Sequence, residues 1–419
     1  MILICDLLCK SVSHEKVNSG FLRGVNLAFP GEKIIFFADK THINAIQKIL
    51  DHDGVIIDSL EYRPINTVSK SIALLRLFQR AINNEVDKLF FLSFSEEILL
   101  LIKLLKKLNF YSNLKFALVL HGGFEGIAND SSRYKMVLPI NSFPVVIKSD
   151  LIRKLTKTNF KKLPSLLFRK TIEKITSVSG YKKIKLLSIK KVIEMWNSDD
   201  YHYIALSPHV VSNAARYINT NTLKIYSLIL PTNFSAPNEN VKNTYVKFAT
   251  FGFSDSLVLF NVADLLSKRA VTKPYEIRVI GMDDRGAAGF SNIISTSEGK
   301  VLSRERMEFL AKDIDAFLIL YDKSRYRLSC SGSILESLSL TKPIIHFDND
   351  CINYFNKEEL PIGYCCSGLN EYVDKLVDII ENYDQYHGQF KSFRKNIAKL
   401  REDYDVERFL PQLRASFSW

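Results

Sequence analysis

The sequence predicts an α/β protein of two Rossmann-like domains whose parallel sheets face each other across a cleft. Three observations lead there. A chain of 419 residues exceeds one ordinary core and suits two domains. Short apolar, β-branched or aromatic runs alternate with helical patterns almost from end to end, the rhythm of parallel sheets covered on both faces. That rhythm pauses once, at 230–240, and then restarts.

In the first half, strands are expected at 2–7, 33–38, 55–58, 88–93, 115–120 and 203–206, with helices at 43–50, 69–83 and 96–108. Pro231, Pro237 and several asparagines make the pause an inter-domain linker. Strands follow at 247–251, 276–280, 316–321 and 343–347, with helices at 256–267, 303–311 and 334–340. Two terminal helices, 370–383 and 389–403, are separated by a break at Gly388. The expected organisation is one Rossmann-like domain over 1–235 and a second over 236–400, with a helix in 401–419 returning to the first. Ligands in such sheets bind at the carboxyl ends of the strands.

Apolar residues make up 47% and charged residues 24%, which excludes a disordered chain. The opening MILICDLL has neither a basic n-region nor a small-residue cleavage site, so no secretory signal is expected. The most apolar stretch, 89–105, is interrupted by Glu96, Glu97 and Lys103 and reads as a strand and a helix rather than a membrane span. None of the six cysteines forms a CxxC pair, and no histidine lies at metal-ligand spacing from them. Reduced, buried thiols are expected, and no structural zinc.

The net charge of +12 is concentrated: residues 151–191 hold thirteen Lys and Arg against one acid, Glu173. Leu, Ile and Phe recur between the cations at roughly helical spacing, the pattern of a segment lying on anionic lipid. A solvated basic face on its own domain is the plainer alternative. Nucleic acid is not expected as a partner, since aromatics are sparse there and no recognition motif accompanies the charge. The expected location is cytoplasmic, peripheral on the inner face of the cytoplasmic membrane.

The second half carries the most specific motif. The strand ending near Tyr321 runs into a basic loop with Lys323, Arg325 and Arg327, then into Ser331-Gly332-Ser333 opening a helix. A glycine and free N–H groups at a helix N-terminus admit a phosphate. Glu336, one turn on, is placed to accept hydrogen bonds from a ribose diol, and the loop cations to neutralise a diphosphate. A capped helix beside a solvated loop is the bland reading of the same residues.

From 301 to 347 the order helix, apolar strand, Gly/Ser turn, Glu-bearing helix and Thr341-Lys342-Pro343-Ile344 resembles the donor-binding segment of GT-B glycosyltransferases. The turn after the first strand of this half, with Gly252 and Ser254, stands where these enzymes have a glycine loop. The resemblance implies a nucleotide-sugar donor, a glycan or lipid-linked acceptor, no further cofactor, and a role in bacterial surface polysaccharide or lipopolysaccharide synthesis. Two departures accompany it. The large retaining family has two glutamates separated by seven residues; Glu336 fits the second, but Leu328 stands at the first. Phe253 and Ser254 stand where an arginine is usual. No retaining mechanism is therefore assigned, and an inverting or divergent member fits better.

In the first half, Ser19 and Gly20 belong to a stretch that reads as a glycine loop near acceptor or diphosphate, or as a plain turn. His14 and Glu15, just before it, read as surface residues. His121-Gly122-Gly123-Phe124-Glu125 follows a strand, which makes His121 or Glu125 the candidate base for the acceptor hydroxyl. Ser207 and His209 follow the last strand and are candidate donor or acceptor contacts. No Asp-x-Asp triplet ends a strand, so no essential metal is expected, and the leaving group falls to cations and a helix dipole. A same-fold nucleotide-sugar epimerase and a non-enzymatic basic binding protein are the competing functions.

Overall fold

The computed structural model describes residues 1–65, 70–84, 86, 88–107, 111, 113–120, 124–128, 189–229, 232, 234, 243–252, 256–281, 289–297 and 302–417. His121, Ser254 and most of the basic stretch 151–191 lie outside them.

The first half runs β1 (Ile2–Asp6), α1 (Glu15–Ala28), β2 (Ile34–Ala38), α2 (Lys40–His52), β3 (Leu60–Pro64), α3 (Lys70–Asn83) and β4 (Lys88–Ser93). It continues with α4 (Glu96–Lys107), β5 (Lys115–Leu120), α5 (Glu125–Ala128), α6 (Ile189–Glu194), β6 (Tyr201–Ala205), α7 (Pro208–Ala214) and β7 (Lys224–Ser227). The second half opens with β8 (Val246–Phe251), α8 (Ser256–Ser267), β9 (Tyr275–Ile280), β10 (Ile293–Ser295), α9 (Arg304–Ala311), β11 (Ala316–Ile319) and α10 (Gly332–Leu340). It closes with β12 (Ile344–Phe347), α11 (Asp350–Asn353), β13 (Gly363–Cys366), α12 (Leu369–Glu381), α13 (Tyr383–Asp403) and α14 (Leu410–Phe417).

The strands form two sheets, ordered β3-β2-β1-β4-β5-β6-β7 and β10-β9-β8-β11-β12-β13. Every pairing is parallel. All five residues of β1 are buried because helices cover both faces of the sheet. The two-residue period of a strand splits them: Ile2 and Ile4 join the core with Phe21 of α1, and Leu3 and Cys5 join the core with Phe78 and Leu99 of α3 and α4. The first of these cores is continuous with the second sheet through Phe251, Ile319 and Leu335, so the two halves share apolar packing.

The chain returns at its end. Tyr404, Val406, Phe409, Leu413 and Phe417 enter that shared core. Phe417 stacks on Phe90 of β4 at 5.2 Å, and Arg414 Nε donates to the Ala28 carbonyl at 3.0 Å.

Several expectations are corrected. Residues 55–58 are the link after α2, not a strand; Gly54 ends that helix with φ +65°, and the strand lies at Leu60–Pro64. Ser19 and Gly20 sit inside α1, buried, instead of in a loop. The helix tolerates its glycines, and at Gly24 requires one: a Cβ there would lie 2.2 Å from the Phe409 ring. Gly388 lies within α13, and the break between the last long helices falls at Asn382. No helix among the described residues is long and apolar enough to cross a membrane.

Candidate active site

The carboxyl ends of the two sheets meet around a cavity of about 430 Å³, lined from the first half by His14, Glu15 and Lys16 and from the second by Gly252, Arg304, Ser333 and Glu336. Two larger hollows, about 520 and 450 Å³, lie on the outside beside α2–β3 and at the end of α4, away from both carboxyl ends.

The second-sheet wall is built by two turns. Gly252, at φ +71°, turns the chain off β8, and its N–H donates to the Ile280 carbonyl at 2.9 Å. Ser331 caps α10, its hydroxyl accepting from the Ser333 N–H at 3.2 Å. Ser333 Oγ donates to the Phe251 carbonyl at 2.9 Å, tying α10 to the end of β8. Gly332 faces open space, and so leaves the N-terminus of α10 clear on the cavity side. The dipole of a helix N-terminus favours negative charge on that side.

Charge is concentrated beside it. Glu336 receives Arg304 Nη1 at 2.7 Å and, across the cleft, Lys16 Nζ at 3.4 Å. Burial pushes its carboxyl up, but Arg304 and Lys16 outweigh that and hold it below the usual range. Arg304 also donates from Nε to Glu308 at 2.6 Å; burial disfavours its charge, and Glu336 and Glu308 more than offset this. Its remaining nitrogen, Nη2, is buried and has no hydrogen-bond partner among the described residues. Glu15 faces them from the first-half wall with its carboxyl pushed up to about 7, chiefly by burial and secondarily by Glu336 and Glu305, with Arg304 opposing.

A second seam lies beside the cavity. Both oxygens of Glu125 accept from backbone N–H groups of the loop after β11, Arg327 at 2.5 Å and Leu328 at 2.6 Å, and Ser329 Oγ adds 3.2 Å. His209 Nε2 donates to the carbonyls of Tyr326 and Ser329, both at 3.0 Å, while Ser207 Oγ donates to Nδ1 at 2.8 Å. Burial lowers the His209 pKa, the two carbonyls opposing, which suits this neutral tautomer. Asn213 Nδ2 donates to the Arg327 carbonyl at 3.0 Å. Leu328 is fully buried in the first sheet's core.

The residues singled out in the sequence therefore divide. Gly252, Gly332, Ser333 and Glu336 line the cavity, with Ser331 capping the helix beneath them. Lys323, Arg325 and Arg327 do not: Lys323 pairs with Asp348, and Arg327 Nε donates to the Lys323 carbonyl at 3.2 Å. Lys16 and Arg304 supply the cavity's cations instead. Glu125, Ser207 and His209 belong to the seam, where their polar atoms are engaged. His14 and Glu15, expected at the surface, line the cavity. Arg304 had one local signal, its place in the first turn after the Ser303 cap; Lys16 had none.

No family model matches the chain, and no curated protein matches its sequence. Solved structures resemble it over its whole length. Anabaena HepE in complex with UDP-glucose aligns over 100% of both chains with TM-score 0.57 and 10% identity. The lipopolysaccharide outer core galactosyltransferase WaaB aligns over 100% of this chain and 99% of its own, with TM-score 0.53 and 13% identity. A mutant of S. aureus TarM in complex with Fondaparinux, alpha-GlcNAc-glycerol and UDP aligns over 100% of both, with TM-score 0.52 and 14% identity. Two parallel-sheet domains with a cavity between their carboxyl ends define a two-domain Rossmann-like protein. The chain has the GT-B fold.

Proposed function

We propose that the protein is a glycosyltransferase that moves a sugar from a nucleotide-sugar donor to a glycan or lipid-linked acceptor in surface polysaccharide or lipopolysaccharide synthesis. The observation that carries this reading is the unpartnered Nη2 of Arg304, buried beside Glu336 and the N-terminus of α10 on one cavity. A buried donor without a partner is costly, and a ligand oxygen satisfies it. The HepE, WaaB and TarM likenesses support the reading through fold alone.

In this reading the donor's diphosphate sits at the N-terminus of α10, and Arg304 and Lys16 neutralise the charge that grows as the anomeric carbon–oxygen bond breaks. Glu336 receives the ribose hydroxyls. The acceptor oxygen attacks the anomeric carbon and loses its proton to Glu15, whose pKa of about 7 matches a base working near neutral pH. The stretch 151–191 holds the enzyme against anionic lipid at the inner membrane face, where a lipid-linked acceptor resides.

The test is a thermal-shift screen against UDP, GDP, CMP, dTDP and their sugars. A ligand at roughly 100 times its dissociation constant adds about 2.7 kcal/mol. One nucleotide is expected to shift the protein, and Arg304→Ala to abolish that shift. No shift with any of them, together with steeply salt-dependent RNA or DNA binding, overturns the reading in favour of a basic binding protein.

A further inference from the structure

Behind the cleft wall, at the carboxyl end of β1, the fold brings together four polar side chains that the sequence scatters. Asp6 ends β1, Cys9 lies in the following loop, Asn18 is on α1 and His42 on α2, all buried. The ligand atoms of Asp6, Cys9 and His42 lie within 4.8 Å of one another, with His42 Nε2 4.0 Å from Asp6 Oδ2. We propose that these three residues, with the Asn18 carbonyl oxygen as the fourth donor, form a structural binding site for one divalent cation of the zinc class.

Three features favour a cation over a closed hydrogen-bond network. First, His42 Nδ1–H donates to the Ser11 carbonyl at 2.9 Å, which leaves the Nε2 lone pair facing the cluster. Metal-binding imidazoles are oriented in this way. Second, Asp6 Oδ1 is fixed by the N–H groups of Leu8 and Cys9, at 2.9 and 2.8 Å, and by Ser93 Oγ. Asn18 Nδ2 donates to the other oxygen, Oδ2, at 2.8 Å, and the Cys9 thiol hydrogen-bonds the same carboxylate, which brings the sulfur against it. Third, Asn18 Oδ1 is buried without a partner while its Nδ2 contacts both Asp6 Oδ2 and His42 Nε2 at 2.8 Å.

A half-turn of that amide exchanges two atoms of nearly equal size. Oδ1 then faces Asp6 Oδ2 and His42 Nε2, so that three lone pairs and the Cys9 sulfur converge on one point. A bound cation balances such an arrangement. One nitrogen, one sulfur and two oxygens suit a four-coordinate zinc, whose bonds of about 2.0–2.3 Å need the ligands to close by roughly an ångström. On binding, the Cys9 thiol releases its proton to solvent and coordinates as thiolate. The ion pins α1 to β1 and α2, and the first turn of α1 carries Glu15 and Lys16 into the cleft.

The test uses the full chain loaded with Zn2+ or Co2+ and desalted. The expected result is one metal per chain by elemental analysis, with a thiolate-to-cobalt charge-transfer band that Cys9→Ser removes. His42→Gln is expected to lower the stoichiometry. In the unsubstituted protein, mass spectrometry is expected to show Zn2+ slowing alkylation of Cys9 at least tenfold under partial denaturation. Absence of the band, or unchanged stoichiometry in Cys9→Ser, or alkylation of Cys9 indifferent to Zn2+, overturns the proposal. Each readout is independent of nucleotide binding in the cleft.

Discussion

Polar contacts between the two halves cluster at two places that differ in kind. At the seam, Glu125, His209 and Asn213 bind main-chain groups of 326–329, and Leu328 sinks into the first sheet's core. At the cleft, the link is made by side chains: Lys16 to Glu336 and to the Ser339 hydroxyl, beside Arg304 and Glu15 and next to the cavity. The seam is satisfied as it stands. The cleft retains a buried guanidinium nitrogen without a partner. Contacts that close on themselves hold a fold together, whereas unspent polar groups facing a cavity mark a ligand. Leu328 shows the same division, because the position where retaining relatives have a glutamate is used here for packing.

Substituting one residue on each side tests whether the two are separable. Glu125→Ala strands two backbone N–H groups, at about 1–3 kcal/mol each, so a loss of about 2–6 kcal/mol is expected. Denaturant unfolding should show it, while the nucleotide-induced shift persists. Glu336→Gln keeps the shape of the cleft and removes the charge. Nucleoside diphosphate affinity is expected to fall about 10–100-fold, hydrogen bonds to charged groups being worth about 1.5–3 kcal/mol. If Glu125→Ala abolishes nucleotide binding, or Glu336→Gln leaves it intact by calorimetry, the comparison collapses.

What the sequence made legible follows the same physics. Central strands such as β1, β2 and β11 are buried throughout and read as continuous apolar runs. The strands misplaced or missed, β3, β7, β10 and β13, are the four sheet edges. Edges are half exposed and carry residues such as Glu61, Arg63 and Pro64, so the apolar run is broken. Helix α1 was hidden because its glycines resemble a turn, and the reason for Gly24 is a ring 385 positions along the chain. In the site, Ser331, Gly332, Ser333 and Glu336 form a local motif and were readable. Lys16, which meets Glu336 from 320 residues away, was not. The basic loop misled because charge is visible in a sequence and direction is not.

The pH dependence sharpens the cleft side of the comparison. The Glu15 carboxyl titrates near 7 in the folded protein, above its ordinary value of 4.5. The folded state therefore holds this proton more tightly than the unfolded chain does. Stability from this group is present below about 4.5 and lost as pH rises through 7. Transfer activity is expected to rise over the same upper range as the carboxylate forms, and Glu15→Gln to flatten both limbs. His209 on the seam has the opposite sign. Its pKa is lowered from 6.5, so its contribution is lost as pH falls below that value, and His209→Gln should remove that acid limb from the stability profile.

The smallest effect is expected at Lys323, and its smallness is informative. Its ammonium is fully exposed and pairs with Asp348 on the surface of the loop after β11. An exposed ion pair is screened by salt and requires two side chains to be held in one geometry, so its net contribution is slight. Lys323→Ala is expected to leave both the unfolding midpoint and the nucleotide-induced shift unchanged within error. Arg304→Ala, removing a cation of the same sign from the cavity wall, is expected to abolish that shift. A large loss of affinity in Lys323→Ala would mean that the loop swings into the cleft when donor binds. Diphosphate recognition would then belong to the loop and not to Lys16 and Arg304.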